Sequence, residues 1–241
     1  MISTESKRTL VFPAAFICAV FGFNNMAQAA EPHIVGSAFS LKTGDLLYRE
    51  SYFEIEDTLH KVEYSEPDGS VFGRKTIDLS KSFVTPSFSQ LNERNGEAIY
   101  VAQEGRKLIV NYKEDASAKQ KTKQLELTAG MVVDAGFNGF ILQYWSVLMD
   151  GKELDVDFLV PSKQTTFQFR LSRSSCVSGT KEGAMCFSLS PVSWFVKLAV
   201  DPIVVAYDAT EKTLLRFTGR GNIASSEGKY ESVDIQYRYL K

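Results

Sequence analysis

Apolar and polar positions alternate along most of this chain, with the two-residue period of strands that have one covered face and one wet face. The alternation is cleanest in the C-terminal half. Leu154, Val156, Phe158 and Val160 face one way, and Glu153, Asp155 and Asp157 the other. Phe167, Phe169 and Leu171 oppose Thr166, Gln168 and Arg170, and Val233, Ile235, Tyr237 and Tyr239 oppose Asp234, Gln236 and Arg238. In the N-terminal half, residues 35–41, 46–55, 59–66 and 71–79 read as strands. Pro67-Asp68-Gly69 closes the last two into a hairpin, because proline presets the first bend of a turn and glycine relieves the second. A second hairpin joins 98–102 to 107–113 across Glu104-Gly105. Shorter runs at 125–128, 203–207 and 214–219 complete the strand pattern. Residues 82–95, polar and interrupted by Pro86, read as a loop with strand character near Phe88.

One stretch breaks the alternation. Val133, Phe137, Phe140, Ile141, Tyr144, Trp145 and Leu148 recur at steps of three and four, which predicts one long helix over Asp134–Gly151 with a single apolar face. Asp134 stands where the first free amides need an acceptor, and Gly151 where a left-handed residue ends a helix. Burying that face contributes on the order of 10 kcal/mol, so it must lie against the strands. A short helix is also predicted, from Ser190-Pro191 through Trp194, Phe195, Leu198 and Ala199 to Asp201-Pro202. Strands on both sides of the long helix disfavour a wound βαβ fold. A long antiparallel sheet curls as it twists, and an amphipathic helix fills its concave side. The expected fold is mainly β: a curved antiparallel sheet, an incomplete barrel, wrapped around one long α-helix, plus one short helix.

The N-terminus changes the compartment. Lys7 and Arg8 precede an apolar run from Leu10 to Phe23, and Ala27-Gln28-Ala29 has the small-x-small form of a signal-peptidase site. The run is short for a bilayer span of about 20 apolar residues, so a cleaved signal over 1–29 is favoured over an uncleaved anchor. Ile17 before Cys18 argues against a lipoprotein signal, which wants a small residue there. The expectation is a periplasmic protein with one β half-barrel domain over 30–241 and no stable membrane anchor. Cleavage removes two of the 27 basic and one of the 29 acidic residues, so the mature net charge is −3. That balance gives no footprint for nucleic acid and no polybasic membrane patch. In an oxidising compartment Cys176 and Cys186, flanking the turn-rich VSGTKEGAM, read as a disulfide; two free buried thiols are the alternative.

Candidate chemistry is sparse. Gly219-Arg220-Gly221-Asn222 has the spacing of a phosphate loop, but no helix follows it, so it reads as a turn. No catalytic serine elbow, Walker loop or zinc helix is present, and no cofactor or metal is implied. His33 and His60 lie too far apart in sequence to indicate a triad. Glu153, Asp155 and Asp157 could bind a cation, but strand alternation alone accounts for them. Arg49-Glu50 and Arg170 read as ion pairs at the sheet. The aromatic load, 17 Phe, 10 Tyr and 2 Trp, must mostly fill the core. If packing is loose, Phe137, Phe140, Ile141, Tyr144 and Trp145 line a space for an apolar ligand.

Several blocks carry a resemblance. They are Gly44 with Tyr48-Arg49-Glu50; Tyr64 with Pro67-Asp68-Gly69; Asp134-Ala135-Gly136-Phe137 with Trp145 and Gly151; Phe158-Leu159-Val160-Pro161 with Phe169-Arg170; and Leu214-Leu215-Arg216-Phe217 with Gly219, Asn222-Ile223 and Gly228-Lys229. With them the chain resembles a group of exported bacterial proteins known only as domains of unknown function. The closing block is similar to the end of other periplasmic half-barrel domains. The resemblance implies an incomplete barrel around a helix, as in periplasmic carriers of lipoproteins, and brings no activity. Ile141-Leu142-Gln143 stands where an acidic residue is usual. Two functions are expected on these grounds, neither enzymatic. One is a periplasmic carrier for a hydrophobic ligand such as a lipid or acyl chain. The other is an envelope interaction or assembly module that binds another protein through its sheet edge or rim.

Overall fold

The computed structural model describes residues 31–193 and 202–240. The signal-like segment 1–29 and the short helix read at 194–199 lie outside the described residues. The alternating pattern folds into strands β1 (Ile34–Ser40), β2 (Leu46–Glu56), β3 (Leu59–Ser65), β4 (Val71–Asp78), β5 (Ser87–Asn92), β6 (Glu97–Glu104), β7 (Lys107–Lys113), β8 (Lys121–Glu126) and β9 (Met131–Val133). Two helices follow, α1 (Gly136–Gln143) and α2 (Trp145–Met149). After them come β10 (Leu154–Val160), a 3₁₀ turn at Pro161–Lys163, β11 (Thr165–Ser174), β12 (Met185–Pro191), β13 (Ile203–Tyr207), β14 (Leu214–Ala224) and β15 (Tyr230–Tyr239).

All fifteen strands form one open sheet in the order β8-β7-β6-β5-β4-β3-β2-β1-β15-β14-β13-β12-β11-β10-β9. Every pair is antiparallel except β9 with β10. The two edge strands, β8 and β9, are joined by only Leu127–Gly130. A flat sheet of this size would hold its edges about 65 Å apart at the usual strand spacing, whereas that connection reaches about 18 Å. The sheet must therefore curl until its edges nearly meet.

Register shows how the roll is filled. Directly opposed residues share a face, and the pairs Phe169–Val156, Leu171–Leu189, Leu189–Ile203, Val205–Phe217, Phe217–Ile235, Ile235–Ala38 and Ala38–Tyr48 run along one continuous inner face. Edge strand β9 is buried on both sides. Met131 and Val133, with Leu159 of β10, pack on inner-face residues of β1–β7 such as Phe88, Val110 and Tyr112. Val132, with Val156, packs with the helices. One edge is thus tucked inside the roll, which hides the free backbone groups that an edge strand would offer to other chains.

The helical segment is shorter than its apolar period predicts. The rod expected over Asp134–Gly151 is two pieces, of eight and five residues, broken at Tyr144 (φ −104°, ψ 18°). Its buried side chains do face inward, with Phe140, Ile141, Trp145 and Leu148 packed on Phe187, Leu189, Val205 and Tyr207. Gly151 ends it as expected. Its φ is +78°, its amide donates to the Leu148 carbonyl (3.0 Å) and the Lys152 amide to the Val147 carbonyl (3.2 Å), the two bonds of a Schellman cap. Asp134 does not cap. It takes a left-handed backbone (φ 38°) and turns its carboxylate to Lys75, which leaves Ala135 at the N-cap without a side-chain bond.

Residues 82–95 hold strand β5, at the strand character read near Phe88, with loop on either side. Two further expectations change. Ser190-Pro191 continues strand β12 rather than opening a helix. Gly219 to Asn222 lies within β14, at a break in its pairing with β15 between Arg220 and Ala224, and is not a turn. Cys176 and Cys186 form a disulfide, with Cα atoms 5.2 Å apart, across the connection from β11 to β12.

Candidate functional site

The inner face carries charge where alternation alone predicts apolar residues. Register aligns Gly36, Glu50, Tyr64, Gly73, Asn92 and Glu97 in one row across six strands. Glu50 is 1% exposed and accepts hydrogen bonds from the Tyr52 hydroxyl (2.7 Å) and the Tyr237 hydroxyl (3.2 Å). Gly36 makes this possible, since a Cβ there would come within 2.8 Å of the Tyr237 ring. Lys75, 2% exposed, pairs with Asp134 and lies 4.7 Å from the centre of the Phe88 ring. One cation thus serves two carboxylates in the interior. Glu50 is bound by tyrosines; Arg49, on the other face, donates instead to the Pro67 carbonyl (2.9 Å). Farther along, Glu97 accepts from Tyr112 (3.1 Å) and Tyr230.

A second polar device repairs the break in β14. The Gln90 amide donates to the Asn222 carbonyl (2.9 Å) and the Asn92 amide to the Ala224 carbonyl (2.8 Å). Buried carbonyls released from a ladder need such donors. Two amides on β5 supply them across the roll.

Burial pushes the Glu50 carboxyl up from its ordinary 4.5, against the opposing pull of the Tyr52 hydroxyl, Lys75 and the Tyr237 hydroxyl. Burial pushes Glu97 up as well. A carboxyl that holds its proton more tightly in the folded chain stabilises the fold below its unfolded value. That contribution is lost as pH rises through the raised folded value. Urea midpoints should therefore fall as pH rises from 4.5 through the folded value, and Glu50→Gln should flatten part of that fall. Parallel midpoint profiles for the two proteins would exclude Glu50 as a source.

This network is enclosed, and neither of two open clefts reaches Glu50, Lys75 or Asp134. The first cleft, of about 310 Å³, lies at a rim. Leu47 and Tyr48 of β2, Glu66 of the β3–β4 turn and Arg94 of the β5–β6 turn form one side of it. Ile223, Ser225, Ser226 and Glu231 of the β14–β15 hairpin form the other. Arg94 is fixed there. Its Nε and Nη2 donate to the two Glu66 oxygens (2.7 and 2.5 Å), and its guanidinium lies 3.5 Å from the centre of the Phe72 ring. The second cleft, also about 310 Å³, is lined by Glu153, Arg170, Ser172, Ser190, Pro191 and Val192. There Arg170 bridges Asp155 (2.7 Å) and Glu153 (3.5 Å), as expected for a paired strand face.

The residues read as ligand-lining all gather in one cluster. Phe137, Phe140, Ile141 and Trp145 are buried, and half-buried Tyr144 packs on Phe140 with the rings tilted and their centroids 4.7 Å apart. Trp145 meets Phe187 and Tyr207 edge-on at 5.3 and 5.7 Å. None of the five lines either cleft. His33 and His60, distant in sequence, have ring centroids 6.5 Å apart, but no group of three or more metal-ligating residues occurs among the described residues.

No family model matches the chain, and no curated protein matches it. The chain is similar to a solved structure, a beta-barrel-like protein of domain of unknown function DUF1849 from Brucella abortus. The identity is 8% and the TM-score 0.47, over 88% of this chain and 98% of that one. That likeness brings no activity or site residue to this chain.

Proposed function

We propose that this protein is an exported, non-enzymatic interaction module of the cell envelope, a half-barrel around its helix pair that binds another protein through its rim. The observation that carries this reading is where the open space lies. The aromatics that a carrier would line its cavity with are packed on one another, while a cleft with fixed polar groups opens at the rim. Export is supported by the signal-like N-terminus and by the disulfide, a bond kept in oxidising compartments. Photo-crosslinking in the native cell tests the reading. A benzophenone amino acid at exposed Ser226, on the rim, should give a discrete protein adduct, and one at exposed Gly105, on a distant turn, should not. Equal adducts from both positions would end the proposal.

The carrier reading requires the Trp145 cluster to open. Native mass spectrometry of the purified protein is expected to give the bare mature mass, and a co-purifying lipid would reverse the preference between the two readings.

A further inference from the structure

We infer that the rim cleft accepts a primary ammonium group on an alkyl stem, supplied by a lysine side chain of the bound protein. The lysine source rests on the rim-binding proposal, whereas the ammonium chemistry stands on the cleft itself. Tyr48 is 2% exposed and lines the cleft, and its buried hydroxyl has no hydrogen-bond partner. A buried hydroxyl without a partner costs free energy, and a ligand that bonds it removes that cost. The phenol stays neutral because burial and the nearby Glu50 carboxylate hold its proton on, so its oxygen accepts as well as donates.

Charge selects a cation. Two carboxylates, Glu66 and Glu231, face one guanidinium, and Arg94 is already committed to Glu66 through two hydrogen bonds. Glu231 makes no ion pair among the described residues, and Lys229, in the turn before β15, pairs with Glu227. Geometry then favours ammonium over guanidinium. Arg94 occupies both oxygens of Glu66, so the acceptors left in the cleft are one carboxylate, Glu231, and separate hydroxyls that do not form a second fork. An ammonium needs only separate single acceptors, and the Tyr48 oxygen, Glu231 and the serine hydroxyls of the hairpin supply them. Leu47 and Ile223 offer apolar surface for the methylene stem.

The test uses the mature protein, with Nα-acetyl-lysine-N-methylamide as probe and methyl resonances of Leu47 and Ile223 as the local readout. Binding should shift those methyls, and the uncharged norleucine analogue should not. Tyr48→Phe keeps the ring and removes a hydroxyl with no internal partner, so thermal stability should hold while affinity drops about tenfold, as for a lost hydrogen bond to a charged group. Glu231→Gln should weaken binding similarly. Equal binding of the lysine and norleucine probes, or unchanged affinity in both variants, overturns the inference. If cadaverine binds and the lysine derivative does not, the ammonium assignment is kept and its protein source is overturned. A rim adduct that persists in Tyr48→Phe together with failed lysine binding would reject the ammonium and leave the interaction module standing.

Discussion

Replacing Lys75 by Met should cost about 3–5 kcal/mol, the usual penalty for removing one partner of a buried ion pair. Methionine matches the volume, so the loss would come from charge and not from a cavity. Asp134 would be left facing the interior without its cation, and Glu50, whose carboxyl Lys75 draws toward ionisation, would lose that cation too. Asp134 is held in a left-handed backbone at the joint between β9 and α1. The pair therefore ties the tucked edge and the helix start to β4. Urea unfolding measures the cost. The double variant Lys75→Met/Asp134→Leu should recover much of it, because an apolar pair of similar volume carries no uncompensated charge. A single variant within 1 kcal/mol of wild type, on the order of an exposed pair, would mean that the interior is wet.

The parts that were legible in the sequence share one property: each made a periodic pattern. The paired strands of the C-terminal half and the two N-terminal hairpins alternate openly, and Gly151 ends the helix by the left-handed backbone its position implies. Strand β5 showed only near Phe88, because its two other inward residues are Gln90 and Asn92, which serve carbonyls of β14 and so erase the apolar half of the pattern. Strand β9 was missed because three residues buried on both faces have no alternation at all. The polar interior did leave a trace. Tyr48, Glu50 and Tyr52 share a parity, so a carboxylate flanked at i±2 by tyrosines on a covered face points to a hydroxyl-bonded acid. Lys75 left a weaker one, between Gly73 and Ile77 on the same parity. The pairing of Lys75 with Asp134 had no local signal, because it depends on how the sheet rolls. The break at Tyr144 was hidden for a related reason: a run of about two turns and another of about one and a half can share one apolar face without being continuous.

Gly136→Ala should be the most damaging single methyl in the protein, costing about 3 kcal/mol or more, at the upper end of overpacking penalties. For a domain of this size that lowers the melting temperature by about 10 °C. A Cβ at Gly136 runs into the Val84 carbonyl and lies 2.8 Å from Cδ of Pro86. Neither atom belongs to a flexible side chain. The Val84 carbonyl is also the acceptor for the Val133 amide (3.0 Å), so moving it breaks the bond that holds β9 to the β4–β5 loop. Gly139, one turn later, meets the Phe83 carbonyl in the same way, so α1 rests on this backbone at two points. Gly151→Ala is the control. Its φ of +78° makes alanine strained, but nothing lies within 4 Å of the added Cβ, so the cost should stay near 1 kcal/mol. Differential scanning calorimetry of the two variants separates close approach from backbone strain. Equal melting temperatures would mean that the helix does not rest on the Phe83–Val84 backbone, and with that the inward seating of Phe137, Phe140 and Trp145 would lose its mechanical cause.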